Sequence, residues 1–346
     1  MNLAINGFGR IGRLAFRVAT LNHWDEIEQI VINTSGSIDV AGWTHLVKYD
    51  TTYKQYPEQI TYEHIADPKS VTEDNPLLGY IIVKDKKFPV LAQKDPEKIP
   101  WAQYNIDVVI ESTGIFIDSA GAGKHLHAGA RKVVISAPAK GDDIKTFVLG
   151  VNQTNDEQII SNASCTTNCI SPVTQVIHEK FGIEKALLAT VHGYTDDQRL
   201  QDNSHKDRRR ARAAAQNLIP TSTGAAVATT EAIPELKGKF DGIAIRVPVA
   251  TGSLSNLVYV TSRDITETEV NQALTEASQS SRYQKIMTVT DEPIVSSDIV
   301  GSTFSTIVDL NFTKVIGGNL LNILAWYDNE WGYTNRLVEQ AIAVAR

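Results

Sequence analysis

The chain has 346 residues, 42% hydrophobic and 21% charged, and its 33 basic and 40 acidic side chains give a formal charge of −7. At roughly 100–200 residues per domain this length favours two domains, and the composition excludes a disordered chain. The acidic balance argues against a nucleic-acid binder, and two cysteines exclude a disulfide scaffold or a cysteine-only zinc site. No apolar run approaches the roughly 20 residues of a membrane helix. Met1 to Asn6 runs into a glycine turn without a basic segment or cleavage site, so no signal peptide is predicted and a cytoplasmic protein is expected.

Leu3 to Asn6 reads as a short buried strand. After it come Gly7-Phe8-Gly9-Arg10-Ile11-Gly12 and a helix with Leu14, Phe16, Val18 and Leu21 against a sheet. Ile27 to Asn33 reads as a second strand, closed by the turn residues Asn33-Thr34-Ser35-Gly36. This strand–loop–helix–strand unit predicts the start of a doubly wound parallel sheet. Further strands are predicted over 81–83, 108–110, 133–135 and 147–149. Past residue 164 the pattern Ile170, Val173, Val176, Ile177 predicts a helix closed by Gly182, with Pro172 either kinking it or marking a late start. Strand-like segments over 186–191, 242–247, 255–261, 305–309 and 320–327 predict a mainly antiparallel sheet carrying a long helix, 267–279. Residues 335–345 read as a closing helix.

In a dinucleotide site Gly7 would make the tight turn, Gly9 would let backbone approach a pyrophosphate, and Gly12 would allow close helix–strand packing. A packing turn is the alternative; the position between strand and helix at the chain start favours the nucleotide. About 20 residues beyond Gly12, where an acid would take a ribose 2′-hydroxyl, stand Asn33-Thr34-Ser35.

Ser161-Asn162-Ala163-Ser164-Cys165-Thr166-Thr167-Asn168-Cys169 joins a strand to a helix start. A cysteine at a helix N-terminus is expected to have a lowered pKa and to be nucleophilic, whereas a free cysteine elsewhere is usually buried and inert. The choice turns on a base, and His192, ending the apolar run 187–191, is a candidate. Cys169, one turn deeper, reads as structural, and no metal is expected. His125, His127 and His205 carry no local sign of catalysis. Thr221-Ser222-Thr223-Gly224 reads as an anion nest or a plain turn. Arg246 is a charge in an apolar strand, so it needs a salt-bridge partner or a ligand. The basic run Lys206 to Arg212 reads as a solvated face, a subunit contact or an anion site using one arginine. RNA contact is disfavoured by the lack of interleaved aromatics.

Together these segments resemble phosphorylating glyceraldehyde-3-phosphate dehydrogenases over essentially the whole chain. The markers are residues 6–13 (NGFGRIGR), 161–169 (SNASCTTNC), 210–217 (RARAAAQN), 220–226 (PTSTGAA) and 326–333 (WYDNEWGY). The resemblance implies an α/β chain: an N-terminal Rossmann-type doubly wound domain, 1–164, completed by 329–346, and an α+β catalytic domain, 165–328. It implies Cys165 as the nucleophile that forms a thiohemiacetal and then a thioester, and His192 as its base. Ser164, Thr166, Thr223 and Gly224 would line the inorganic-phosphate site, and Thr195, Arg210 and Arg246 would hold the substrate phosphate. Gly7, Gly9, Arg10, Ile11 and Gly12 would carry the cofactor pyrophosphate, with Thr34 and Lys94 on the adenosine side. Lys94 stands where the family has arginine. Ser136, Asn329 and Tyr333 would lie on the nicotinamide side.

The resemblance also implies a homotetramer, with the loop over roughly 193–215 reaching a neighbour's cofactor. Ser204, before His205-Lys206-Asp207, is the residue of NADP-using relatives where NAD-specific ones carry Pro. With no acid at Thr34, use of both NAD and NADP is expected. The family's Thr-Pro-Asn is replaced by Val249-Ala250-Thr251-Gly252, and its Gly-Asp-Pro by Gly301-Ser302-Thr303. An erythrose-4-phosphate dehydrogenase is the near alternative, disfavoured by the intact run 221–225. A nucleic-acid-binding role for 206–212 is the distant one.

Overall fold

A computed structural model of the chain describes residues 1–153 and 156–346. The chain divides into two compact units. One holds Met1–Thr146, residues 156–162 and Leu337–Arg346; the other holds Phe147–Gln153 and Ala163–Arg336.

The first unit is built on a nine-stranded sheet. Its order is Lys145–Thr146, Ile159–Ser161, Lys132–Ile135, Val108–Glu111, Asn2–Asn6, Gln29–Thr34, Lys86–Ala92, Leu77–Val83 and Ile60–His64. The first six pairings are parallel and the last two antiparallel. The strand order reverses beside Asn2–Asn6: the chain builds outward to Gln29–Thr34 first and later to Val108–Glu111 on the other side. In a doubly wound sheet ligands bind at the carboxyl ends of the strands at such a point. Central strands buried on both faces need continuous apolar runs, which Leu3-Ala4-Ile5 and Val108-Val109-Ile110 supply, all fully buried.

The strand expected over 81–83 lies within Leu77–Val83, its partner Lys86–Ala92 has no counterpart in the sequence reading, and one expected strand, 147–149, fails. Leu77–Val83 and Lys86–Ala92 form a hairpin through Lys84 and Asp85, both at positive φ (49° and 66°), so the turn carries no glycine signal. Residues 147–149 are not a strand. Phe147 and Val148 are buried within the second unit, where the Val151 and Asn152 amides donate to the Val148 carbonyl in a turn. The strands nearby are Lys145–Thr146 and Ile159–Ser161.

The second unit has a seven-stranded sheet in the order Ile219–Ser222, Phe240–Val247, Ile183–Gly193, Ser253–Thr261, Leu320–Tyr327, Thr306–Ile316 and Met287–Thr290. Four of its six pairings are antiparallel. Helices Cys165–Phe181 and Glu267–Gln279 pack on one face, and Ile170, Val173, Ile177, Leu274, Leu257 and Ile323 share their core. Thr266 and Glu269 close the second helix in a capping box. The first helix starts at Cys165 and runs through the buried Pro172, so the late start is excluded. Gly182 ends it at φ +68°.

The opposite sheet face is apolar and open. Leu187, Val191 and Ile243 lie on it at 58%, 36% and 51% exposure, in register with Val258, Leu254, Ile245 and Trp326 on neighbouring strands. Among the described residues no helix is long and apolar enough to cross a membrane.

A Cβ on Gly12 would stand 2.0 Å from the Gly7 carbonyl oxygen, which a backbone shift alone can relieve. Gly12→Ala is therefore expected to destabilise the chain by about 1–3 kcal/mol, read as a lower denaturant midpoint. Gly9→Ala meets nothing within 4 Å and is expected to leave the midpoint near wild type.

Candidate active site

The first unit presents a glycine loop at the end of the Asn2–Asn6 strand. Gly7 takes φ +94°, and a Cβ there would fall within 2.7–2.9 Å of Thr113 and the Ser112 carbonyl carbon. Gly9 ends the loop as the N-cap of helix Arg10–Asn22, with no side-chain cap. The open space over Gly9, together with the uncapped helix terminus behind it, fits a pyrophosphate. Arg10 is turned away, its guanidinium paired with Asp50 at 2.5 Å, so any contact from Arg10 and Ile11 would be through backbone. Ser136 is half-buried, its amide donating to the Glu111 carbonyl at 2.9 Å, and Lys94 is exposed.

Thr34 is placed differently from the expectation. It is buried, and its hydroxyl donates to the Leu91 carbonyl at 3.1 Å while accepting the Gly36 amide. The hydroxyl serves the sheet edge and is not presented to a ligand. Ser204 is exposed in a loop of the second unit, its amide donating to Asn203 Oδ1.

In the second unit Ser164 caps helix Cys165–Phe181 by accepting the Thr167 amide at 3.1 Å. The preceding residue, Ala163, is fully buried at φ +53°, a conformation an L residue holds only under constraint. The Tyr333 hydroxyl braces it by donating to the Ala163 carbonyl at 3.1 Å. This places Cys165 in the first helical turn with its sulfur 3.3 Å from His192 Nε2.

His192 is delivered by the long strand Ile183–Gly193. In the parallel register beside it His192 pairs with Arg246, which sets a guanidinium against the imidazole. His192 Nδ1 lies 2.6 Å from the Gly193 carbonyl and 2.6 Å from Arg246 Nη1, which also donates to that carbonyl at 3.3 Å. A neutral ring can satisfy only one of the two. If Nδ1 donates to Gly193, the Nε2 lone pair faces the thiol and the ring is a base. If Nδ1 accepts from Arg246, Nε2 carries the proton. The basic form therefore requires Arg246 to leave the ring, and its buried Nε, which has no partner, shows that the guanidinium is not fully satisfied where it lies.

Burial, then the Arg246 charge, push the His192 pKa down to about 3. Burial also pushes the Cys165 thiol up, against the pull of Arg246 and of Thr166 hydrogen bonds. The lowering expected from the helix terminus alone is thus reversed: the half-buried sulfur packs against the core, and desolvation of a thiolate outweighs the first-turn amides. Cys169 lies fully buried against Thr306, its thiol pushed up to about 12.

Around the pair, Thr166 Oγ1 is 2.9 Å and Thr190 Oγ1 2.8 Å from the Tyr327 hydroxyl, and the Tyr327 ring stands edge-on to His192. Asn329 Oδ1 accepts from the Gly252 amide at 3.1 Å and from Ser253 Oγ at 2.9 Å, and Ser253 Oγ accepts the Gly193 amide at 3.2 Å. Ser253 thus ties the strand end that carries His192 to Asn329. Tyr327 lies in the 326–333 marker, but its place beside His192 has no local sign, and Ser253 carries no sequence signal because it is one more residue in an alternating strand.

The anion-site candidates lie in the loops after strands Ile183–Gly193 and Ile219–Ser222. Thr223 Oγ1 accepts the Ala225 amide, and Gly224 is the N-cap of helix Ala225–Ala232 with nothing within 4 Å of a would-be Cβ. Thr195 is half-buried. Arg210 is occupied: it bonds Asp197 at 2.5 Å, Thr221 Oγ1 at 2.9 Å and the Ser222 carbonyl. In the basic run Arg212 likewise pairs with Asp202, which leaves less free charge there than the sequence alone indicates. Among the described residues no group of three or more His, Cys, Asp or Glu could hold a metal.

The family model described as glyceraldehyde 3-phosphate dehydrogenase, C-terminal domain, matches residues 164–329, and its NAD binding domain counterpart matches 1–119. Glyceraldehyde-3-phosphate dehydrogenase 2 of Streptomyces avermitilis is 49% identical over 348 residues, spanning 99% of this chain and 98% of the relative. The chain belongs to the glyceraldehyde-3-phosphate dehydrogenase family. Chloroplastic glyceraldehyde-3-phosphate dehydrogenase B of Pisum sativum is 46% identical across 100% of this chain and 74% of its own length. The Zymomonas mobilis family member is 45% identical across 100% and 99%. Membership agrees with the motif resemblance, and the α/β two-unit fold is the one that resemblance implies.

Iodoacetamide at neutral pH is expected to label Cys165 and spare Cys169, as peptide mapping reads. Because His192 is held below its ordinary value of 6.5, the unfolded chain binds a proton there that the folded chain refuses. This contribution makes stability fall as pH drops from about 6.5 toward 3. His192→Asn is expected to flatten that fall in denaturant midpoints measured across the window.

Proposed function

We propose that the chain is a phosphorylating glyceraldehyde-3-phosphate dehydrogenase, oxidising D-glyceraldehyde 3-phosphate with inorganic phosphate to 1,3-bisphosphoglycerate and reducing NAD or NADP. The observation that carries this reading is the 3.3 Å contact between the Cys165 sulfur, in a first helical turn, and His192 Nε2. Nucleophile and base are then within direct proton-transfer reach.

In the mechanism we infer, His192 takes the thiol proton as Cys165 Sγ attacks the aldehyde carbon and passes it to the former carbonyl oxygen, giving a thiohemiacetal and a neutral ring. His192 then removes the hydroxyl proton as hydride leaves the same carbon, and a thioester remains. The nicotinamide supplies the hydride acceptor when bound. Inorganic phosphate attacks the thioester carbonyl, the acyl–sulfur bond breaks, and the acyl phosphate departs as Cys165 regains a proton. Arg246 has a second task in this sequence. The substrate phosphate draws its guanidinium off His192 Nδ1, so the ring becomes a base when substrate arrives. Arg210 exchanges Asp197 for the same phosphate. Ser164, Thr166, Thr223 and Gly224 take inorganic phosphate, and Asn329, its oxygen held by Gly252 and Ser253, would use its NH2 to hold the cofactor carboxamide.

We assign the nucleotide to the first unit, with Gly7, Gly9, Arg10, Ile11 and Gly12 at the pyrophosphate. Use of both cofactors rests on the missing carboxylate at residue 34, since a carboxylate there would repel a 2′-phosphate. Ser204 of a neighbouring subunit and Lys94 supply further contacts. The open apolar sheet face carrying Leu187, Val191 and Ile243 supports assembly with further copies of the chain, as a cytoplasmic homotetramer.

A purified-enzyme assay of aldehyde oxidation with and without phosphate tests the reading. Sustained turnover is expected only with phosphate, and phosphate-independent turnover contradicts it. Cys165→Ser is expected to abolish turnover while leaving cofactor binding, and His192→Asn to slow it by about 10²–10⁴-fold. A carboxylate cannot donate to the Leu91 carbonyl as the Thr34 hydroxyl does, so the side chain of Thr34→Asp is expected to turn toward the ribose and to move the kcat/KM ratio toward NAD by at least tenfold, about 1.4 kcal/mol.

A further inference from the structure

Beneath the glycine loop lies a buried polar chain that no step above uses. Glu111 ends its strand with its carboxylate buried and accepts four donors. Asn6 Nδ2 at 2.5 Å and His125 Nε2 at 3.0 Å reach one oxygen, and the Thr113 amide at 2.7 Å and the Thr113 hydroxyl reach the other. The Trp101 indole N–H donates to His125 Nδ1 at 3.0 Å. An indole nitrogen can only donate, so His125 must accept at Nδ1 and carry its proton on Nε2, toward Glu111. On the other side Asn33 Nδ2 donates to Asn6 Oδ1 at 2.7 Å and to the Gln93 carbonyl at 2.8 Å, and Asn33 Oδ1 accepts the Gln93 amide. Trp101 and His125 are fully buried, and Asn6 and Asn33 nearly so.

This chain links the carboxyl ends of adjacent parallel strands at the reversal of strand order, where a doubly wound sheet takes its ligand. Asn6 immediately precedes Gly7, and Thr113 and Ser112 supply the atoms that a Cβ on Gly7 would meet. Asn33 precedes Thr34, and Gln93 precedes Lys94. A hydrophobic filler would pack the space without the desolvation cost of a carboxylate. What it would not do is fix four strand ends in register with one another.

We propose that Glu111, held by His125 and Trp101, is a positioning residue for cofactor binding: it presets the glycine loop and the adenosine-side strand ends in the cofactor-free protein. The proposal rests on the nucleotide reading above. Replacing Glu111 by Gln sets an NH2 against the Asn6 and His125 donors or, with the amide turned, against the Thr113 amide N–H, and Trp101→Phe removes only the indole N–H at the far end.

The test is calorimetric titration of the cofactor-free full-length variants with NAD and NADP, alongside the rate of Cys165 alkylation by iodoacetamide. Glu111→Gln is expected to raise both dissociation constants by at least about tenfold. Trp101→Phe is expected to raise them by a smaller factor in the same direction, and the alkylation rate is expected to stay at wild type in both. Wild-type affinity in Glu111→Gln overturns the proposal, as does a loss of affinity matched by an equal loss of alkylation rate, which marks general damage. Should Glu111→Gln fail to fold, unchanged affinity in Trp101→Phe overturns it alone. A wild-type protein that binds neither cofactor contradicts the dehydrogenase reading instead.

Discussion

The 3.3 Å approach of the Cys165 sulfur to His192 depends on two elements with no sequence proximity agreeing to within a fraction of an ångström. One is the start of helix Cys165–Phe181, fixed by the Ser164 cap and by Ala163 at positive φ under the Tyr333 hydroxyl. The other is the end of strand Ile183–Gly193, fixed by its parallel register with Phe240–Val247 and by the Ser253 bridge. A one-residue slip in that register would turn His192 to the other sheet face and replace it beside the sulfur with a neighbour. The sheet therefore does more than support the helix: it determines which side chain meets the thiol.

The two units solve positioning in different ways. In the second, polar side chains do it: Thr166, Thr190 and Tyr327 brace one side of the histidine, while Ser253 and Asn329 hold the other. These groups are buried and bonded to one another, so each restrains its neighbour. At the glycine loop sterics dominate, because Gly7 and Gly12 tolerate no Cβ, and the polar chain through Glu111 lies one layer below. Arg246 stands apart from both patterns. Its contact with His192 Nδ1 competes with Gly193 for the same ring nitrogen, so a neutral ring cannot satisfy both partners at once.

Much of this was legible in the chain. The loop from Gly7 to Gly12, the two-sided apolar strands beside it and the helix over 267–279 follow from local pattern, since each rule acts within a few residues. The thiol–imidazole pair was legible only as two candidates, and the family motifs joined them. What sequence could not show depends on non-local partners. The hairpin through Lys84 and Asp85 lacks a turn signature, and residues 147–149 satisfy their apolar side chains in a turn, not a ladder. Thr34 spends its hydroxyl on Leu91, a partner 57 residues away. The thiol's direction of shift also inverted, because a helix terminus is local and desolvation is a property of the whole fold. His125, unremarkable in its own segment, is defined by Trp101 and Glu111.

The central claim is that carbonyl chemistry passes through sulfur on Cys165 and ends with phosphate. Mixing the enzyme with D-glyceraldehyde 3-phosphate and oxidised cofactor in phosphate-free buffer, quenching in acid and mapping peptides by mass spectrometry tests it most directly. The account predicts an acyl adduct on the peptide at Cys165, none at Cys169, and its loss when phosphate is added before the quench. An unmodified Cys165, or an adduct that phosphate does not discharge, would contradict it.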